Sequence, residues 1–155
     1  PDEILTHVTL PPADGWDSVY LKLRRRGSFD FPVLGVAVAV RRERDVVRDA
    51  RVVLGAVAST PREAPAAAAV LVGERLTSDT ITRAADAAAG PAKPLDNTDF
   101  THPYRKRLVR VYVARALARL AGFEPVERGG PEMAPTPPYA RDAPEDPGHP
   151  SETGA

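Results

Sequence analysis

An α+β fold is what the sequence predicts: a small antiparallel sheet of three to four strands packed against a layer of about three helices, plus a disordered C-terminal tail. Three observations lead there. Period-two apolar alternation is confined to the first 58 residues, whereas helical punctuation by Thr, Pro and Gly begins at residue 60. The two strongest alternating runs are joined by a short charged turn, as in an antiparallel hairpin. From residue 122 onward the composition changes to eight prolines and five glycines with few large apolar groups, too little to offset the entropy of ordering.

The elements follow in order. Residues 4–10 carry apolar side chains at 4, 5, 8 and 10 and read as a strand stopped by Pro11-Pro12. Residues 12–17, PADGWD, are expected to form a turn-rich loop. Residues 19–23 alternate again, with Val19, Leu21 and Leu23 on one face and Tyr20 and Lys22 on the other. Residues 33–40 form the strongest strand: Val36, Val38 and Val40 share one face, and Gly35, Ala37 and Ala39 make the other almost flat. That flat face is the one a closely packed helix layer is expected to cover. After the turn RRERD at 41–45, residues 46–58 alternate Arg51, Val53, Gly55 and Val57 with Val52, Leu54, Ala56 and Ala58. The hairpin is expected to be central in the sheet.

A turn over 60–64 precedes a helix with Pro65 as its first residue, closed by Gly73. Thr77 or Ser78 caps a second helix that turns Ile81, Ala84, Ala85 and Ala88 inward and stops at Gly90. The longest helix starts at Pro103 and ends at Gly122, with an apolar stripe of Val109, Tyr112, Val113, Ala116 and Leu120 flanked by Leu108 and Leu117. Residues 1–121 thus make one domain, and residues 122–155 a Pro-rich acidic tail.

Charge and composition narrow the chemistry. The formal net charge of zero hides an asymmetry: the tail holds seven acids against two arginines, which leaves the domain with 19 basic and 14 acidic residues. With no cysteine, the chain carries no disulfide, no thiolate nucleophile and no cysteine-ligated cluster. Its three histidines lack metal-ligand spacing, and no GxSxG, HExxH, P-loop or GxGxxG occurs. No stretch approaches a membrane span, and the cytoplasm is the expected compartment.

Two basic clusters stand out. Arg24-Arg25-Arg26 reads either as a solvated strand-end basic patch or as a phosphate or carboxylate clamp. The Gly27-Ser28 turn could fold Asp30 back to pair with one of the three, and Arg26 with Asp30 is the expected ion-paired corner. Pro103-Tyr-Arg-Lys-Arg puts three cations in the first turn of a helix, the unfavourable end of the macrodipole. Projection from the apolar stripe turns Arg105 inward, where it needs a partner; Asp96 or Asp99 in the preceding PLDNTDF loop is the natural candidate. Lys22 shares a strand face with Tyr20. It is either an edge-strand lysine that deters aggregation or a single cation reaching a ligand.

The stretches YLKLRRRGSFDFPVLGVAVAV, ARVVLGAVASTP, LVGERLTSDTITRAADAAA and PLDNTDFTHPYRKRLVRVYVARAL, in this order, resemble the C-terminal domain of the flavoprotein (medium) subunits of molybdenum hydroxylases. That family includes carbon monoxide dehydrogenase, xanthine dehydrogenase and 4-hydroxybenzoyl-CoA reductase. The resemblance covers residues 3 to about 121. It implies a domain completing an oxidoreductase subunit whose FAD is held mainly by a preceding domain. It also implies Lys22, with Tyr20, as the residues that approach the flavin ring, and Arg26 and Asp30 as matching positions nearby. The implied partners are that upstream FAD-binding domain and the iron–sulfur and molybdopterin subunits of a hetero-oligomer, which carry [2Fe–2S] clusters and the molybdenum cofactor. The resemblance further implies that in this assembly the chain serves electron transfer and is not catalytically complete alone. The alternative reading is a free-standing α+β interaction module with an acidic regulatory tail; nucleic-acid and membrane binding are not expected.

Overall fold

The computed structural model describes residues 4–10, 12–26, 30–95 and 100–123. Four antiparallel strands form one sheet in the order β1-β2-β3-β4. They are β1 (Trp16–Leu23), β2 (Leu34–Glu43), β3 (Val46–Gly55) and the two-residue β4 (Arg62–Glu63). Three helices follow, α1 (Pro65–Leu71), α2 (Ser78–Ala88) and α3 (His102–Ala121). The expected α+β architecture is therefore present, with β2 and β3 at its centre. The 60–64 turn differs from expectation: Arg62 and Glu63 pair with Leu54 and Val53 as a short edge strand before Pro65 opens α1.

The charged turn is tighter than expected, because Arg41, Arg42 and Glu43 remain in β2. Only Arg44 and Asp45 lie between the strands, with Arg44 in the left-handed region at φ 56. The register shifts between Arg41, paired with Asp49, and Arg42, paired with Val47, so Arg48 is an extra residue on β3. This bulge is why Val47 and Ala50, three apart, both face the core. At the other end Ala56 adopts φ 62 and resets the alternation again. Val57 is fully buried as a result, although its parity with Arg51 and Val53 would have put it on the opposite face.

The helix layer covers the valine face of the sheet, and the expectation that it would cover the flat Ala/Gly face is corrected. Leu34, Val36, Val40 and Leu54 have no exposed surface, and Val38 and Val52 almost none. Burying branched side chains removes more apolar area from water than burying alanine methyls. Close approach is achieved from the other side, where Ala64, Ala67, Ala84, Ala85, Ala88 and Ala116 face inward. Gly35, Ala37 and Ala39 line the open face instead, with Trp16, Ser18, Tyr20 and Lys22 of β1 on one side and Arg51, Val53 and Gly55 of β3 on the other.

Local chemistry explains the helix ends. The Thr77 hydroxyl accepts from the Thr80 N–H at 3.2 Å at the start of α2, and Thr101 accepts from the Tyr104 N–H at 3.4 Å at the start of α3. Gly122 closes α3 in the left-handed conformation at φ 78. The expected strand over residues 4–10 is not formed. Among the described residues it has no ladder partner, and its large apolar side chains are exposed. The tail from residue 124 lies outside the described residues.

Candidate functional site

β1 brings Tyr20 and Lys22 to the same open face because they are two residues apart on a strand. Cross-strand register then sets their surroundings: Tyr20 pairs with Ala37 and then Val53, and Lys22 with Gly35 and then Gly55. Lys22 is exposed and Tyr20 is 62% exposed. The Tyr20 ring leans along the sheet over Gly35. A Cβ added at Gly35 would lie 3.0 Å from the Tyr20 hydroxyl oxygen and 3.5 Å from its Cε2. Gly35 is thus the seat that lets the phenol lie beside Lys22, a role the sequence alone did not reveal because it depends on the β1–β2 register.

Behind Tyr20 the face continues as a shallow depression of about 250 Å³ bordered by Ser18, Ala37, Ala39, Arg51 and Val53. At its far end the Arg41 and Arg51 guanidiniums each lie 5.7 Å from the centre of the Trp16 ring. Sequence reasoning missed this cluster too, since its members come from three strands.

The other expected site residues surround the Lys22 end of the sheet. The chain leaves β1 at Leu23, so Arg24, Arg25 and Arg26 lie in the bend beyond it, where strand alternation no longer distributes them. Arg26 Nε stands 3.6 Å from Asp30 Oδ2, a Coulombic contact too long for a hydrogen bond. The Phe31 N–H donates to Asp30 Oδ1 at 2.9 Å. Burial pushes the Asp30 carboxyl up, but the Phe31 N–H, the Arg26 charge and the Arg26 backbone outweigh it and hold the group below its ordinary range.

Arg105 is 1% exposed and draws three segments together beneath the same corner. Its Nη1 donates to the Leu95 carbonyl at 2.8 Å, and its Nη2 donates to the Val33 carbonyl at 3.2 Å and to the Ala56 carbonyl. Val33 and Ala56 lie just beyond β2 and β3, so these bonds fix the row that holds Lys22, Gly35 and Gly55. Burial lowers the Arg105 pKa from its ordinary value. Asp96 and Asp99, the expected partners, lie outside the described residues. No group of three or more potential metal ligands occurs among the described residues, and none of their helices is long and apolar enough to cross a membrane.

This arrangement defines a class: an α+β domain whose open sheet face presents Lys22 beside Tyr20 at one end and the Trp16, Arg41 and Arg51 cluster at the other, braced from below by a buried arginine. The chain belongs to the CO dehydrogenase flavoprotein C-terminal domain family, whose model matches residues 18–120. It is 25% identical over 119 residues to the glyceraldehyde dehydrogenase medium chain of Sulfolobus acidocaldarius, an alignment covering 77% of this chain and 42% of that one. It is 28% identical over 117 residues to the carbon monoxide dehydrogenase medium chain of Hydrogenophaga pseudoflava, covering 75% and 40% respectively. The solved carbon monoxide dehydrogenase of Hydrogenophaga pseudoflava lacking the Mo-pyranopterin moiety matches with a TM-score of 0.63 and 33% identity, over 68% of this chain and 36% of that one. The chain therefore spans about two fifths of the length of the curated relatives it matches.

Proposed function

We propose that the chain provides the C-terminal domain of an FAD-carrying medium subunit in a molybdenum hydroxylase, with Lys22 and Tyr20 facing the flavin ring. The observation that carries this reading is their placement on the sheet face the helices leave open, Tyr20 lying over Gly35 and Lys22 pairing with it across the strands. The family match supports the subunit type, and the names of the relatives support the assembly.

The residues present fit the edge of a planar cofactor. A Cβ at Gly35 would crowd the Tyr20 phenol, so the glycine keeps a ring-sized aromatic surface flat beside an exposed ammonium. FAD, when bound, supplies the redox chemistry between a molybdenum and iron–sulfur partner and the final acceptor. The work of this chain is positional and electrostatic. Lys22 places a positive charge at the ring edge, which favours electron uptake there and raises the potential. Tyr20 covers the ring from the sheet side and excludes water. Arg105 holds the ends of β2 and β3 so that neither side chain drifts. The phosphates of FAD are held by a preceding domain, and the clusters and molybdenum cofactor by separate subunits.

The test is flavin content. The polypeptide carrying the preceding domain should purify yellow with about one FAD per chain, and residues 1–155 alone should bind FAD weakly or not at all. Colourless, folded material from the longer polypeptide would refute the reading.

A further inference from the structure

Four large apolar side chains crowd the short segment 4–10, and all are open to water: Ile4 at 88%, Leu5 at 81%, Val8 at 70% and Leu10 at 80%. The other exposed large apolar residues, such as Tyr20, Val72 and Leu95, occur singly along the described chain. Scattered single residues are ordinary on a protein surface, but a contiguous run marks a contact. The pattern is that of an amphipathic strand, with Ile4, Thr6, Val8 and Leu10 on one face and Leu5, His7 and Thr9 on the other. β-branched residues occupy four of these seven positions, which suits a pleated, half-buried surface.

Among the described residues this segment takes no seat on the fold, neither on the open sheet face nor along the edge of β1. The valine face of the sheet is covered by α1, α2 and α3, and the segment is joined to β1 by the turn in which Trp16 N–H donates to the Ala13 carbonyl at 3.1 Å. Among the described residues its one side-chain hydrogen bond is local, between Thr6 Oγ1 and His7 Nδ1 at 3.0 Å, and no backbone bond ties it to the sheet. The match to the C-terminal domain family begins at residue 18, so the segment lies ahead of the recognised domain.

We propose that residues 4–10 are a strand of a sheet in the preceding part of the polypeptide, paired through their backbone and buried along Ile4, Val8 and Leu10. The identity of that partner rests on the medium-subunit reading given above, in which about three fifths of the relatives' length lies outside this chain. On this assignment the domain boundary falls in the turn at residues 12–15, where Gly15 takes φ 73, and not before residue 4. A strand anchored on one side and β1 on the other leaves only this turn to set how the Lys22 face meets the flavin-holding part.

Hydrogen exchange read by mass spectrometry tests this, comparing residues 1–155 with the full polypeptide that includes the preceding sequence. Amides of residues 5–10 should exchange at least ~100-fold more slowly in the full polypeptide, while those of β2 and β3 remain similarly protected in both. Equal exchange of residues 5–10 in the two would overturn the proposal. So would protection in residues 1–155 alone that grows with protein concentration, because a second copy would then be the partner. Val8→Asp supplies an independent reading: it should leave the melting temperature of residues 1–155 unchanged and lower that of the full polypeptide, and the same response in both would also overturn it. Flavin content is scored separately. A colourless full polypeptide with residues 5–10 protected removes the flavin reading and keeps the strand, whereas a yellow one with fast exchange does the reverse.

Discussion

Replacing Arg105 by leucine should remove much of the domain's stability, and the size of the loss can be worked from its contacts. The guanidinium is 1% exposed and donates to three backbone carbonyls, those of Leu95, Val33 and Ala56. A hydrogen bond to a charged group contributes about 1.5–3 kcal/mol, and a buried carbonyl left without a donor costs about 1–3 kcal/mol. Because the three bonds share one side chain their effects do not add fully, so the expected loss is about 4–6 kcal/mol. That is a large part of the ~5–15 kcal/mol by which a domain is usually stable. For a domain of this size it corresponds to a fall of roughly 20 °C or more in melting temperature. Urea unfolding followed by circular dichroism measures it, and Trp16, the single tryptophan, gives an independent probe. Arg105→Lys keeps the charge but loses the planar fork, so it should recover less than half of the loss; it also provides a reading if the leucine variant does not fold. A loss below about 1 kcal/mol in both variants would refute the bracing role.

Further outcomes follow from the same geometry. Gly35→Ala should change stability by less than about 1 kcal/mol, because the half-exposed Tyr20 ring can swing aside, yet weaken FAD binding in the longer polypeptide; unchanged affinity would separate Tyr20 from the cofactor. Asp30→Asn should destabilise at neutral pH and not in acid. A carboxyl held below its ordinary value contributes stability above that value and loses it as pH falls through the depressed one, so the wild-type and variant curves should converge at low pH. Curves that stay parallel down to low pH would contradict the Arg26 and Phe31 contacts. Thr77→Ala should cost about 1 kcal/mol in urea unfolding through loss of the α2 cap, with flavin binding unaffected.

Much of this architecture is legible in the residues themselves. The β2 and β3 strands show plainly because valine and leucine alternate with small residues, and the helices because Pro65, Thr77, Gly73 and Gly122 mark their ends. Which face of β2 is covered was not legible. Flat and branched faces are both apolar, and the choice is decided by alanines on α1, α2 and α3 that lie far away in sequence. Alternation also failed where the backbone departs from it, at the Arg48 bulge and at Ala56. Lys22 and Tyr20 could be assigned to one face from spacing alone, but the Gly35 seat and the Trp16 cluster required the register between strands. The segment 4–10 has the pattern of a strand without a partner within the described residues, and a pattern cannot supply one.

The central claim is that Lys22 lies at the edge of the flavin, and the midpoint potential of FAD in the longer polypeptide tests it most directly. A cation a few ångströms from the ring, partly screened by water, should raise the two-electron potential by about 20–40 mV. Lys22→Met should therefore lower the potential by that amount, with Lys22→Arg close to wild type. A potential unmoved by Lys22→Met, in protein that still binds a full complement of FAD, would contradict the account.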